Sequence, residues 1–229
     1  MHSNITATRL FKSMRVFILP AIIVSIFSFP VFSAVNYYSG YNTVAKTTNM
    51  SFNYTASTNS NRMLILNVSV LDDGTTYRSF TASYGAQPFT LLYRTTSAPA
   101  TPDGTGIISE TWILADPLSG SHTVSMTSGG SALRIAGVNE YYGVEAVGSY
   151  TGVTRNANSL TANLTTTHTM SWIIGFFSGR DGSKMNFSTS DPVTERWNRQ
   201  NKSGSSDYIH GIEYERTTLT ENRCTEKCC

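Results

Sequence analysis

Apolar and polar positions alternate along much of this chain with the period of two that a strand with one buried face requires. "MLILNVSV" (63–70) sets Leu64, Leu66, Val68 and Val70 on one face, with Asn67 and Ser69 opposite. "GIISETWIL" (106–114) alternates Ile108, Glu110, Trp112 and Leu114 against Ile107, Ser109, Thr111 and Ile113. "SHTVSMTS" and "ALRIAGV" read as two short strands joined through Gly129-Gly130. "MSWIIGFF" (170–177) is apolar on both faces, as a centrally buried strand is. No segment carries a helical stripe of ten or more residues. The spacers are turn chemistry: Asp73-Gly74, Asp103-Gly104, Ser119-Gly120, Asp181-Gly182 and Ser203-Gly204. Short strands punctuated in this way predict an all-β fold, a single antiparallel β-sandwich of the jelly-roll or immunoglobulin-like kind. "SAPATPDGTG" (97–106) reads as the longest loop.

The first residues follow a different pattern. Arg9, Lys12 and Arg15 precede the apolar run "VFILPAIIVSIFSF", which has the length of an export leader's core and is short for a membrane span. "VFSA" then offers small residues for cleavage after Ser33 or Ala34, and Met14 is an alternative start. The expected organisation is a signal peptide over 1–33, a flexible mature terminus over 34–50, a β domain over 51–220 and a cysteine-containing tail over 221–229. An uncleaved amino-terminal anchor is the alternative. The leader holds three of the seventeen basic residues and none of the fifteen acidic ones, so the mature chain carries a net charge of −1 rather than +2. That leaves no broad positive field for nucleic acid or acidic membranes. The expected location is secreted or cell-surface, with no membrane contact beyond the leader.

The resemblance of one stretch adds to this reading. "NRML" (61–64), "YGAQPF" (84–89), "WILADPLSGSHTV" (112–124) and "NEYYGV" (139–144) together resemble a largely uncharacterised module of secreted bacterial and archaeal surface proteins. That module has an "NR-L" strand opening, a "YGG" hairpin, a "W-L-x-x-P-x-x-G-x-H-x-V" stretch and a later "GV". The resemblance covers most of residues 50–180 and implies an extracellular β-sandwich. Its motifs are turns and core positions, so it implies no catalytic residue. Gly85-Ala86 stands where the family has a glycine pair. Such modules also close on an apolar strand, whereas here "YIHGIEYERTTL" (208–219) reads as penultimate and is followed by charged "TENRCTEKCC". Either the closing strand is missing or it lies earlier. A missing strand would leave a sheet edge open to self-association.

Candidate chemistry is sparse. Cys224, Cys228 and Cys229 are the only cysteines, with spacing that matches no usual zinc pattern. An interchain disulfide, a metal site and a tail without designed role all stay open. The best enzyme-like set is His210, Glu213 and Glu215, for which a solvated strand face is the simpler account. His122 and His168 have no carboxylate neighbours in sequence that would complete a triad. The Asp-Gly turns could supply oxygen ligands to calcium, but a turn needs no metal, and no other cofactor is expected. Tyr141, Tyr142 and Trp197, set among Asn, Gln and Arg, are the residues through which a glycan partner would be stacked. Tyr37, Tyr38 and Tyr41 form a second aromatic cluster. The expected function is a non-enzymatic structural or adhesive module facing a cell surface or glycan; the alternative is a carbohydrate-binding module.

Overall fold

The computed structural model describes residues 34–72, 80–96, 106–154, 160–166, 171–181, 193–203, 207–217 and 224–228. The leader, Asp73-Gly74, Asp103-Gly104, Gly182, Gly204 and His168 lie outside them. Every regular element among the described residues is a strand, and all strand pairings are antiparallel. In chain order these are β1 (Asn36–Ala56), β2 (Met63–Asp72), β3 (Phe80–Tyr84), β4 (Gln87–Pro88), β5 (Thr90–Thr96) and β6 (Gly106–Ala115). They are followed by β7 (Gly120–Tyr142), β8 (Leu160–Leu164), β9 (Trp172–Asp181), β10 (Thr194–Ser203), β11 (Asp207–Thr217) and β12 (Cys224–Cys228). One sheet runs β4-β3-β7-β2-β6-β5 with β1 also on β7; a second runs β10-β11-β9, and β12 pairs with β8.

The long β1–β7 hairpin organises the first sheet. Its register slips between Thr47 and Asn49, where one residue of β1 faces the Ser128–Ser131 stretch of β7. Tyr54 and Ser39 are fifteen residues apart on β1, which would separate them by about 50 Å in a straight strand. Instead the Tyr54 hydroxyl lies 2.8 Å from Ser39 Oγ and 3.2 Å from Glu140 Oε2. The hairpin is therefore doubled over at the bulge. One arm holds residues 49–56 of β1, 120–127 of β7 and β3. The other holds residues 36–47 of β1, 132–142 of β7, β2 and β6.

Between the arms lies the main core. Met50, Phe52, Tyr54, Val124 and Met126 of one arm join a single cluster with Leu64, Leu66, Val68, Val70, Ala136 and Val138 of the other. Each fully buried leucine or valine there contributes about 1.5–3 kcal/mol. The opposite face of the second arm is covered as well. Leu133 and Ile135 of β7 pack on Trp197 of β10 and Ile209 of β11, which brings the three-stranded sheet onto this arm.

Three expectations change. Residues 34–50 are not a loose terminus: from Asn36 onward they are strand, held by the β7 ladder and by packing of Tyr37 on Tyr141, Tyr41 on Phe52, and Ala45 and Met50 on the core. Gly129-Gly130 does not separate two strands; it lies at the corner of one strand, β7. The cysteine tail is not without a strand, since the backbone of Cys224–Cys228 pairs with Leu160–Leu164. β11 covers residues 208–217 of the "YIHGIEYERTTL" segment and is penultimate in chain order among the described strands, as expected; Thr218 and Leu219 lie outside the described residues.

Candidate functional site

Strand β11 decides the fate of the enzyme-like set. Alternation sends Ile209, Gly211, Glu213 and Glu215 toward the first sheet, while Ile212 and Tyr214 join Phe177 on the other side. His210 shares that second face, so it does not meet the glutamates. All three residues are buried, at 1%, 0% and 4% exposure for His210, Glu213 and Glu215. The face expected to be solvated is instead covered: the second arm of the large sheet lies over the two glutamates, and His210 is buried on the opposite side.

Glu213 is the centre of a polar node between the sheets. Asn67 Nδ2 of β2 donates to its Oε2 at 2.8 Å, and Trp197 Nε1 of β10 donates to the same oxygen at 2.8 Å. The Tyr141 hydroxyl of β7 donates to Oε1 at 3.3 Å. Behind Asn67, the Thr111 hydroxyl of β6 donates to Asn67 Oδ1 at 2.7 Å. Four strands, β2, β7, β10 and β11, thus meet on one carboxyl, and β6 joins through Asn67. Burial raises the Glu213 pKa, opposed by these donors, with Asn67 foremost. Burial and then the Glu213 charge also raise the Tyr141 hydroxyl, keeping it a proton donor. At the rim, Arg196 pairs with Glu215, and its guanidinium carbon lies 3.6 Å from the Tyr37 ring centroid.

Backbone space is cut to fit the Trp197 indole. A Cβ on Gly137 would lie 2.3 Å from Trp197 Cε2, and one on Gly211 would lie 3.1 Å from Cζ3. The indole therefore lies against two strands where neither has a side chain.

These contacts correct the expected aromatic face. Tyr141 is 1% exposed and Trp197 4%, with their polar atoms spent on Glu213, so neither can stack on a sugar from solvent. Tyr142 is half-buried at the end of β7. Exposed aromatics lie elsewhere: Tyr38 and Tyr41 on β1, and Tyr150 beside Tyr93 of β5, ring centroids 5.7 Å apart.

Two further buried carboxylates escaped the sequence reading as sites. Glu140 accepts the Ser57 backbone N–H at 3.0 Å, the Ser57 hydroxyl and the Tyr54 hydroxyl, joining the two arms. Glu110 accepts Arg94 Nε at 2.6 Å and Trp112 Nε1 at 2.8 Å. Burial raises the Glu110 pKa, with the Arg94 charge as the main opposing influence. The signal for Glu110 was present in its position on the apolar face of "IISETWIL". For Glu140 it was the acid inside "NEYYGV".

The motif residues gather at one end of the doubled sheet. The Tyr84 hydroxyl donates to the Gly120 carbonyl at 2.6 Å and accepts the Ala56 N–H at 3.2 Å. Asn61 takes a positive φ of 52°, its carbonyl accepting Val144 N–H at 2.9 Å, and Arg62 donates to the Ser57 carbonyl. Gly85, at φ 56°, donates to the Thr123 carbonyl at 2.8 Å. No family model, curated protein or solved structure matches the chain.

Solvent meets a different surface on the first arm. Ser51, Asn53 and Thr55 of β1 run beside Thr123, Ser125 and Thr127 of β7, and Thr81 and Ser83 of β3 continue the rows. These positions are exposed or half-buried, and none carries a charge.

Proposed function

We propose that the mature chain is a non-enzymatic, secreted or surface-displayed β-sandwich with a structural or adhesive role. The observation that carries this reading is the way its acids are used. Glu110, Glu140 and Glu213 each accept donors from neighbouring segments and hold strands together. The outward face of the first arm presents neutral hydroxyls and amides, which suit weak, repeated contact with a hydroxylated surface more than recognition of an ion. The resemblance to surface modules and the leader support the same reading. A carbohydrate-binding module is the second reading, and the exposure of Tyr38 and Tyr41, 47% and 46%, favours it.

A glycan array probed with the mature chain separates the two. Retained contact that is lost on Thr123→Lys supports adhesion through the neutral face. Saturable binding to one glycan, lost on Tyr41→Ala and kept in Thr123→Lys, replaces it with the carbohydrate-binding reading. Cleavage of an arrayed glycan overturns the non-enzymatic reading altogether.

A further inference from the structure

Asn67 and Thr111 are direct cross-strand partners on β2 and β6. Thr111 Oγ1 is 2.7 Å from Asn67 Oδ1, and Glu213 Oε2 is 2.8 Å from Asn67 Nδ2. A hydroxyl, a carboxamide and a buried carboxyl are thus in line between two packed sheets. We propose that this triad forms an intramolecular ester joining Thr111 to residue 67, with Glu213 as the proton relay.

The bond changes balance without any co-reactant. Thr111 Oγ1 adds to the Asn67 carboxamide carbon, and the hydroxyl proton passes to Oδ1. The Glu213 carboxylic acid protonates Nδ2, the carbon–nitrogen bond breaks and ammonia leaves. The proton on Oδ1 then returns to the Glu213 carboxylate as the carbonyl re-forms. One ester and one ammonia are produced, and Glu213 ends as it began. The amide geometry puts Oγ1 about 3.5 Å from the carbon under attack, the upper end of near-attack separations. Rotation of the carboxamide would expose its face to the hydroxyl.

Three further features fit this chemistry. Glu213 is held by Trp197 Nε1 and the Tyr141 hydroxyl, so its carboxyl cannot swing away from the amide. Burial raises the Glu213 pKa, opposed by its donors with Asn67 foremost, which moves the carboxyl toward the acid that the step begins from. Asn67 and Glu213 are both 0% exposed, which limits the access of water to the carboxamide carbon, while Thr111 is half-buried. The bridge places between the two Cα atoms the same number of bonds as a disulfide, and antiparallel partners lie within that span.

Intact-mass measurement on the purified, denatured chain tests the proposal directly. The expected mass is lower by one ammonia than that of the chain from its measured amino terminus. A protease digest should contain the Asn67 and Thr111 peptides as one species that hydroxylamine separates. Thr111→Val should show the full mass. Glu213→Gln, folded by circular dichroism, should lose ammonia more slowly by roughly a hundredfold or more. Full mass and separate peptides in the wild type after prolonged incubation overturn the proposal. So does an ammonia deficit that persists in Thr111→Val, which would place the loss at another amide. An undiminished rate in folded Glu213→Gln removes Glu213 from the reaction.

Discussion

Asn53-Tyr54-Thr55 in β1 and Asn67-Val68-Ser69 in β2 read alike: a polar residue, an inward apolar one, a polar residue. In the first arm the polar pair faces solvent, and Asn53 accepts a hydrogen bond from Thr123 Oγ1 at 3.0 Å. In the second arm the same pattern is 0% exposed at both polar positions, because β10 and β11 lie over them. One sheet therefore has an arm with a single buried face and an arm with two. Polar side chains on a covered face need internal partners, and Asn67 finds them in Glu213 and Thr111. The distinctive chemistry between the sheets follows from that covering layer.

The contrast breaks most severely where the covering layer fits closest. Gly137→Val would drive a side chain into the Trp197 indole, whose Cε2 lies 2.3 Å from the Cβ position alone. The expected loss is about 3 kcal/mol or more, since backbone and ring must both move. Gly148→Ala, with nothing within 4 Å of its Cβ, should stay within about 0.5 kcal/mol of the parent. Urea midpoints of the two variants measure the difference. Equal midpoints would show that the three-stranded sheet does not pack on β7 as described.

Much of the fold was legible because alternation reports burial of one face. β2 and β6 were read near their observed limits, and the apolar set Leu64, Leu66, Val68 and Val70 lies in the core as the pattern requires. β9 runs to Asp181, four residues past the apolar run, and it is the edge of the β10-β11-β9 sheet rather than a centrally buried strand, with Trp172, Ile174 and Phe176 only half-buried. Alternation cannot report whether the polar face is covered, since that depends on strands more than a hundred residues away. Asn67 and Ser69 therefore read as solvent-facing, and Glu213 as part of a wet strand. Aromatics were misplaced for a related reason. Tyr141 and Trp197 carry polar atoms, and the sequence does not show that Glu213 occupies them. The first half of β1 was missed because its tyrosines and small residues do not alternate regularly, and its order comes from the β7 ladder with scattered contacts such as Tyr37 on Tyr141 and Tyr41 on Phe52. At Gly129-Gly130 the glycines marked a real interruption, but a bend and a reversal use the same residue.

A smaller effect distinguishes buried acids from surface ones. Glu110 lies between the arms, and its folded-state pKa is raised above 4.5 by burial despite Arg94. A carboxyl raised in the folded state binds its proton more tightly there than when unfolded. Its contribution is fully present below the unfolded value and is lost as pH rises through the folded one. Wild type should therefore lose stability relative to Glu110→Gln as pH rises above 4.5 toward neutrality. Denaturant titrations at several pH values follow that difference. A difference that stays flat, or runs the other way, would mean that Arg94 outweighs burial at this carboxyl.

The smallest expected change is on the uncovered face, where the Thr123–Asn53 hydrogen bond is open to water. Removing either partner leaves the other hydrated, so no buried group is stranded. Asn53→Ala and Thr123→Val should each change stability by no more than about 0.5 kcal/mol, and the double variant should equal their sum within a few tenths. Asn67→Ala, the same truncation at the matching position of the other arm, takes one donor from the fully buried Glu213 carboxyl and the acceptor from the half-buried Thr111 hydroxyl, and should cost about 2–3 kcal/mol. If Asn53→Ala proved as costly as Asn67→Ala, the outward face of the first arm would have to be covered too. The most direct source of cover would then be a second copy of this chain, and the midpoint of Asn53→Ala would depend on protein concentration.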